Sequence, residues 1–275
     1  MSTHVFTHPF KVRIYELNSS GWISSATCLR YCEQAAMEAS ESAGYTLERY
    51  RELDWIWVVR RTTLEYITPA CYGDVINVTT WLSRLARASA FREYLLTRAG
   101  DGQVIARAQS RWALINARTL FPIRMPQDMH RIFKPSGKSA LEGGDFLRIL
   151  DSYAAPGEAG DPPTPVYISR RRVQRYELDS AGHVNNAVYL DWLEQAVVEA
   201  CRQGRAPWCE GDNPFQVGVQ IDYLHPAQDG DEIEIRSTPV GRTPRGILWE
   251  HEITRPDDGE KLIRAKTVLS SPPWR

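Results

Sequence analysis

Between Asn185 and Gly204 the chain reads NNAVYLDWLEQAVVEACRQG. Val188, Trp192, Leu193, Ala196, Val197 and Ala200 recur at helical intervals, which predicts an amphipathic helix of about 18 residues, roughly 27 Å long. Tyr189 and Leu190 widen the apolar stripe, so much of the helix should be buried. Gly204 is placed to stop it, as Gly44 is to stop a similar run in the first half. Elsewhere the period is two. VINVTTWLSRL (75–85), DEIEIRS (231–237) and GILWEHEIT (246–254) alternate apolar and polar residues, as half-buried strands do. RAGDGQ (98–103) and RPDDGE (255–260) each carry Asp-Gly, a hairpin signal. FKVRIY (10–15) and ISRRRVQRY (168–176) read as short strands ahead of the two helices.

These elements occur twice, in the same order. YELNSSGWISSATCLRYCEQA (15–35) and YELDSAGHVNNAVYLDWLEQA (176–196) are identical at ten of 21 positions, at an offset of 161. Downstream, LEYITPACYGDVINV (64–78) matches IDYLHPAQDGDEIEI (221–235) at an offset of 157, and Asp101-Gly102 falls on Asp258-Gly259. The shift in offset sits between helix and second strand, where loops absorb deletions. Each copy is one strand, one long helix and an antiparallel meander of about four strands. The fold class is α+β, a tandem hotdog, each unit a long central helix wrapped by a curved antiparallel sheet. We place the first unit at 1–134, a linker rich in Gly, Pro and acid at 135–165 with one apolar island, FLRIL, and the second unit at 166–275. A lone unit of this kind leaves edges uncovered and pairs with a twin. A tandem copy supplies the twin, so a monomer acting as its own pseudo-dimer, or a higher homo-oligomer, is expected.

Composition adds mainly exclusions. Of 275 residues 43% are apolar and 24% charged, with a formal net charge of −1, so neither nucleic acid nor an anionic membrane is an expected partner. No apolar run is long enough for a transmembrane helix. The first residues, MSTHVFTHPFKVR, carry no apolar signal core, which points to the cytoplasm. Five cysteines without framework spacing suggest reduced thiols, and the lack of CxxC or HExxH argues against a metal; no cofactor is expected.

Against this duplicated background the differences stand out. Asp179 and His183 in the second copy replace Asn18 and Trp22 of the first. An aspartate at the end of a strand and before a helix is most often a cap, and so is an asparagine such as Asn185 or Asn186. A lone histidine most often packs or faces water. Yet the first copy keeps the strand, glycine and helix without acid or imidazole, so the fold requires neither. The start of a helix exposes N–H groups and partial positive charge, a place for a carbonyl oxygen that becomes negative in acyl transfer. A carboxylate facing it could attack the acyl carbon or activate water. Glu16 and Glu33 recur as Glu177 and Glu194, which favours structural roles. Cys201 and Cys209 have no evident His partner and read as inert thiols. DWIWVVRR (54–61) places Trp55, Trp57 and Val59 on one strand face, followed by Arg60. That face is either plain core or the lining of an acyl pocket. Arg84, Arg87 and Arg92 read as surface arginines that could greet phosphate or an acidic carrier.

YELDSAGHVNNAVYLDWLEQA resembles the signature of the hotdog acyl thioesterases, the 4-hydroxybenzoyl-CoA thioesterase superfamily. DWIWVVRRTTLEYITPACYGDVINVTTWL and VIARAQSRWALINART resemble the first domain of plant-type and bacterial acyl-ACP thioesterases, which are tandem hotdogs with a working second half. The resemblance implies hydrolysis of an acyl-ACP or acyl-CoA thioester, with Asp179 as nucleophile or base and the backbone N–H of Asn186 polarising the carbonyl. The chain departs from the acyl-ACP branch at Ala181, where that branch has Asn. It departs again in IDYLHPAQDG, which lacks that branch's Glu or Cys, although Asp222 and His225 lie nearby. Two alternatives stand beside this reading: a hotdog hydratase or dehydratase, whose Asp and His are spaced five apart around Asn-Pro, and a non-catalytic acyl-binding protein.

Overall fold

The computed structural model describes residues 4–152, 166–204 and 214–270. The chain divides into two units, Met1–Glu142 and Gly143–Arg275. Each is α+β, with one long helix against an antiparallel sheet.

In the first unit β1 (Val5–Lys11) leads through a 3-10 turn at Ile14–Glu16 to α1 (Ser25–Ser42) and the short α2 (Leu47–Glu52). Four strands follow: β2 (Trp55–Tyr66), β3 (Val75–Leu85), β4 (Ser89–Arg98) and β5 (Val104–Asn116), then α3 (Gln127–Ile132). The first strand lies nearer the N-terminus than FKVRIY suggested, because residues 14–16 coil into the 3-10 turn instead. The sheet order is β1-β3-β4-β5-β2. Only β3, β4 and β5 form a meander; β2 adds beside β5, so the expected four-strand meander is a three-strand one with β2 folded to its far side.

The second unit opens with α4 (Phe146–Ser152), β6 (Tyr167–Arg172), a 3-10 turn at Arg175–Glu177 and α5 (Asn186–Arg202). β7 (Phe215–Tyr223), β8 (Glu232–Thr243), β9 (Gly246–Arg255) and β10 (Glu260–Ser270) complete it in the order β7-β10-β9-β8-β6. Of the span read as linker, 136–140 folds onto the first unit: Trp81 Nε1 donates to the Lys138 carbonyl at 2.9 Å and Ala140 N to Glu93 at 2.8 Å. FLRIL forms α4, and Phe146 is buried. Its ring packs against β7 at Gly218, where any Cβ would overlap it. Residues 153–165 lie outside the described part of the chain.

The helices are buried as their stripes require. α5 buries Tyr189, Leu190, Trp192, Leu193, Ala196, Val197, Val198 and Ala200, whereas α1 buries mostly small residues, Ala26, Cys28, Cys32, Ala35, Ala36 and Ala39 among them. The Asp-Gly turns are built alike. Gly102 and Gly259 take φ +73° and +72°, and an Asp side chain caps each turn through Gln103 N and Glu260 N, both at 2.9 Å. Beside each turn an arginine gathers acids: Arg98 with Asp74 and Asp101, Arg255 with Asp231, Asp258 and Glu260. No helix among the described residues is long and apolar enough to cross a membrane.

The turn before each helix is tied down by a glutamate. Glu177 is buried and accepts from the Gln174 amide at 2.8 Å, from Trp192 Nε1 of α5 at 2.9 Å, and from Arg171. Glu16 does the same with the Arg13 amide at 2.7 Å and with Tyr31 of α1, also at 2.7 Å. Removing the acceptor strands several donors, a loss of about 2 kcal/mol. Glu177→Ala should therefore lower the urea midpoint by that free energy with an unchanged m-value, and Glu177→Gln should lose less because one acceptor oxygen remains.

Candidate active site

Asp179 does not end a strand. β6 stops at Arg172, the 3-10 turn intervenes, and Asp179 sits exposed in a tight loop. Its Oδ1 accepts from the amides of Ala181 at 2.8 Å and His183 at 3.3 Å, while its own amide donates to the His183 carbonyl at 2.8 Å. Gly182 completes the loop at φ +78°. Asn18 does the same work in the first unit. Its Oδ1 accepts from Ser20 N at 2.9 Å and Trp22 N at 3.2 Å, its amide donates to the Trp22 carbonyl at 2.7 Å, and Gly21 stands at φ +84°. The fold thus needs one side-chain oxygen here, which Asn and Asp supply equally. Asp179 adds a second oxygen, and Oδ2 has no hydrogen bond among the described residues.

The loop is pinned to the connection between β7 and β8. Leu178 bridges Val184, His183 bridges Gln228, and Val184 N donates to the Ala227 carbonyl at 2.9 Å. The imidazole of His183 makes no hydrogen bond among the described residues. Asn185 is the N-cap of α5: its Oδ1 accepts from Ala187 N at 2.9 Å, and Asn186 is the first helical residue. The four residues expected to do chemistry, Asp179, His183, Asn185 and Asn186, therefore lie on one short path that ends at the helix start.

Two tyrosines at this helix start escaped the sequence reading. In the first unit Tyr66 OH donates to the Ile23 carbonyl at 3.0 Å and accepts from Ala70 N at 3.3 Å. In the second unit Tyr189 accepts from Ala227 N at 3.1 Å, which frees Tyr223 OH to donate to the Asn186 carbonyl, also at 3.1 Å. Tyr189 stands where the first unit has Cys28, and that swap is the signal the repeat offered. Burial pushes its phenol up to about 12.

Glu194, on the inner side of α5, accepts from the Gln216 amide of β7 at 3.0 Å. This bond to the sheet is a structural role of the kind its recurrence as Glu33 suggested. Burial raises its carboxyl to about 7. His225 pairs with Glu260 at 3.0 Å, and Asp222 lies on β7 among the residues lining a surface cleft with His251 and Arg236. His251 is buried between Ser237 and Thr267, each at 2.8 Å, and burial alone lowers its imidazole to about 3.

The residues expected to line an acyl pocket divide. Trp57 lines a small cavity of about 50 Å³ within the first unit, with Met37, Leu82, Leu85, Trp112 and Phe133 among its walls. Trp55 packs on the neighbouring core of Tyr45, Leu114 and Met125. Val59 is buried elsewhere, and Arg60 is exposed at a bulge, where the pairing of β2 with β5 slips between Val59 and Arg61. That slip lies just beyond the three-residue face and turns Arg60 out of the strand's regular pairing. Arg92 is not a surface arginine: it points into the same cavity, because its position on β4 faces the core. Cys28 and Cys32 are buried free thiols whose pKa burial pushes up, and Cys71 is free and exposed. Cys201 is disulfide-bonded, contrary to the reduced thiol expected; cysteine spacing does not reveal which sulfurs a folded chain brings together. Cys209 lies outside the described residues. Among those residues no group of three His, Cys, Asp or Glu could hold a metal.

Residues 3–133 match the family model of the acyl-ACP thioesterase N-terminal domain, and residues 173–271 match that of the thioesterase-like superfamily. Among curated proteins, the chain is 26% identical over 201 residues to an acyl-[acyl-carrier-protein] hydrolase of Cuphea viscosissima, covering 69% of this chain and 46% of that protein. It is 23% identical to oleoyl-acyl carrier protein thioesterase 1 of Arabidopsis thaliana, covering 98% of this chain and 76% of that one. The chain thus spans less than half the length of the first relative and about three quarters of the second. In fold it is similar to a putative oleoyl thioesterase of Lactobacillus plantarum, with TM-score 0.78, 17% identity and 98% of both chains covered. The 12:0-ACP thioesterase of Umbellularia californica follows at TM-score 0.74 and 20% identity, with 97% and 94% covered.

Two tests follow from the geometry alone. Asp179→Asn should leave stability unchanged within about 0.5 kcal/mol, since Asn18 already holds the same loop, whereas Asp179→Ala should cost about 1 kcal/mol by urea unfolding. Glu194 is easier to protonate in the folded chain than in the unfolded one, so its contribution is fully present below the ordinary glutamate range and is lost as pH rises toward about 7. Stability measured from pH 4 to 8 should fall through that window in the natural chain and flatten there in Glu194→Gln.

Proposed function

We propose that the chain is an acyl thioesterase of the acyl-ACP thioesterase kind, hydrolysing an acyl thioester, carried on acyl carrier protein or coenzyme A, to a free carboxylic acid and a thiol; the matches of its two halves to the acyl-ACP thioesterase N-terminal domain and to the thioesterase-like superfamily support this reading. The catalytic apparatus in this reading belongs to the second unit. One observation carries the assignment. The two units hold matching loops with one side-chain oxygen, and only the second has a carboxylate oxygen left over.

In this mechanism the thioester carbonyl sits at the start of α5. The backbone N–H of Asn186, in the first helical turn and supported by the helix dipole, takes up the negative charge that grows on its oxygen. Asn185 caps the same turn and fixes its direction. Oδ2 of Asp179 either attacks the acyl carbon, forming a mixed anhydride that water then opens, or takes a proton from the attacking water. In both routes the carbon–sulfur bond breaks, the sulfur leaves as thiolate and is protonated, and the acyl group gains one oxygen from water. His183, with an uncommitted ring beside this carboxylate, orients the nucleophile or meets the leaving sulfur. Tyr223 steadies the helix start through the Asn186 carbonyl.

A binding protein without turnover is the second reading, because the loop geometry of Asp179 is shared with an asparagine that cannot act as base. Turnover separates the two. With a panel of acyl-CoA and acyl-ACP substrates, Asp179→Asn should reduce kcat by at least about 100- to 1,000-fold while its melting temperature holds. Asn18→Ala should retain most activity, with His183→Ala between them. Near-normal turnover in Asp179→Asn, or a larger loss in Asn18→Ala, would rule out a second-unit site built on this carboxylate.

A further inference from the structure

Two buried tyrosines meet at the start of α5. Tyr189 and Tyr223 are 2% and 7% exposed, and their rings pack edge to face with centroids 5.8 Å apart. Tyr189 OH accepts from the Ala227 amide at 3.1 Å, and Tyr223 OH donates to the Asn186 carbonyl, also at 3.1 Å. That carbonyl and the Ala187 amide belong to one peptide group, and the Ala187 amide donates to Asn185 Oδ1 at 2.9 Å. The first peptide group of the helix is thus held at both ends. The peptide group before it is held through the Asn185 carbonyl, which accepts from Val188 N at 3.0 Å. The other end of that group is the Asn186 N–H. Peptide groups are planar, so fixing the two planes that meet at the Asn186 Cα fixes the direction of this N–H.

The first unit uses its phenol differently. At the offsets of the repeat, Tyr223 corresponds to Tyr66, Ala227 to Ala70 and Tyr189 to Cys28. Tyr66 OH accepts from Ala70 N at 3.3 Å and donates to the Ile23 carbonyl at 3.0 Å. Ile23 precedes the N-cap Ser24, so this bond stops short of the helix. Ser24 accepts from Thr27 N, one position deeper into the helix than the amide that Asn185 holds. A thiol is a weak acceptor, so the residue matching Tyr189 leaves the Ala70 amide to Tyr66. In the second unit Tyr189 takes the corresponding amide, and the hydroxyl of Tyr223 reaches the helix instead. The acceptor of one loop amide therefore decides where the other phenol points. Only the unit that carries Asp179 has the second phenol.

We infer that Tyr189 and Tyr223 form a positioning pair: Tyr189 takes the Ala227 amide, and Tyr223 thereby anchors the first peptide group of α5 and aims the Asn186 N–H at the thioester oxygen. The inference rests on the thioesterase reading, since the aim of that N–H matters only where it receives the growing negative charge. Both phenols act through the backbone and not on the reacting atoms. A donor that has drifted from the oxyanion position stabilises the transition state less, while binding of the acyl chain does not use it. The loss therefore falls on kcat and spares KM.

The test is hydrolysis of acetyl, octanoyl, dodecanoyl and hexadecanoyl thioesters of CoA and of acyl carrier protein by the full-length protein, with melting temperatures alongside. On the substrate turned over fastest, Tyr223→Phe should lower kcat about 10- to 100-fold with KM within about twofold. Tyr189→Phe should lower it by a similar factor although its hydroxyl bonds a loop amide, because the Ala227 amide then recruits Tyr223 and the first-unit arrangement returns. The double variant should be no slower than Tyr223→Phe, since no anchor is left to divert. Tyr66→Phe should lower the melting temperature and leave kcat within about twofold. Unchanged kcat in either folded single variant of the pair overturns the inference, so if one melts below the assay temperature the other decides alone. Losses that multiply in the double variant overturn it too, as does a loss in Tyr66→Phe equal to that in Tyr223→Phe. Absence of turnover by the natural chain on every thioester refutes the thioesterase reading and the positioning role with it, whereas turnover that survives Tyr223→Phe refutes the positioning role alone.

Discussion

A carboxylate removed from water sets the geometry on which the rest of the second unit depends. Glu177 joins three things that the chain could otherwise hold apart: the amide that opens the 3-10 turn, the guanidinium at the end of β6, and the indole in the middle of α5. With those fixed, the distance left to run from Glu177 to Asn185 is a single closed loop, and the Asn185 amide returns to the Glu177 carbonyl at 3.0 Å. The position of the helix start is therefore determined before any residue near it is chosen for chemistry. Glu16 performs the same service with Tyr31 in place of Trp192. This explains why the two loops match so closely although their exposed residues differ.

Duplication makes the structural contributions separable from the rest. Asn18 and Asp179 share their amide partners, so the loop accounts for one oxygen and not for the charge. Arg98 and Arg255 gather equivalent acids and serve the hairpins. At Tyr189 and Tyr223 the second unit redistributes bonds that one tyrosine, Tyr66, makes in the first, and it does so next to the helix start. Such departures from the twin carry more information than any residue read in isolation.

The helices, the Asp-Gly hairpins and the two-unit plan were legible in the sequence because each depends on local spacing. A stripe of apolar residues has one comfortable arrangement, and an Asp-Gly pair favours one turn. The place of β2 beside β5 was not legible, since strand order is set by packing across many residues. The bulge at Arg60 was hidden for the same reason, and with it the true lining of the cavity. Arg92 shows the limit most clearly. Among Arg84, Arg87 and Arg92 nothing local marks the buried one; the Trp at the matching place in the second copy did, but only once strand register was known. At the candidate site the asymmetry of the repeat singled out Asp179 and His183, whereas the engagement of Asp179 Oδ1 with the loop amides depends on a turn geometry that the sequence does not spell out.

Gly218 is where β7 lacks a side chain, and the ring of Phe146 lies in that place. The strand and the segment that precedes the second unit therefore share one volume between them. Seen this way, the glycine is an address for incoming chain: its emptiness holds the leading end of the unit against its own sheet without a hydrogen bond or a charge. Any side chain gained there would evict α4 and return its apolar residues to the connecting segment. A methyl group where that hydrogen atom stands would meet the ring of Phe146.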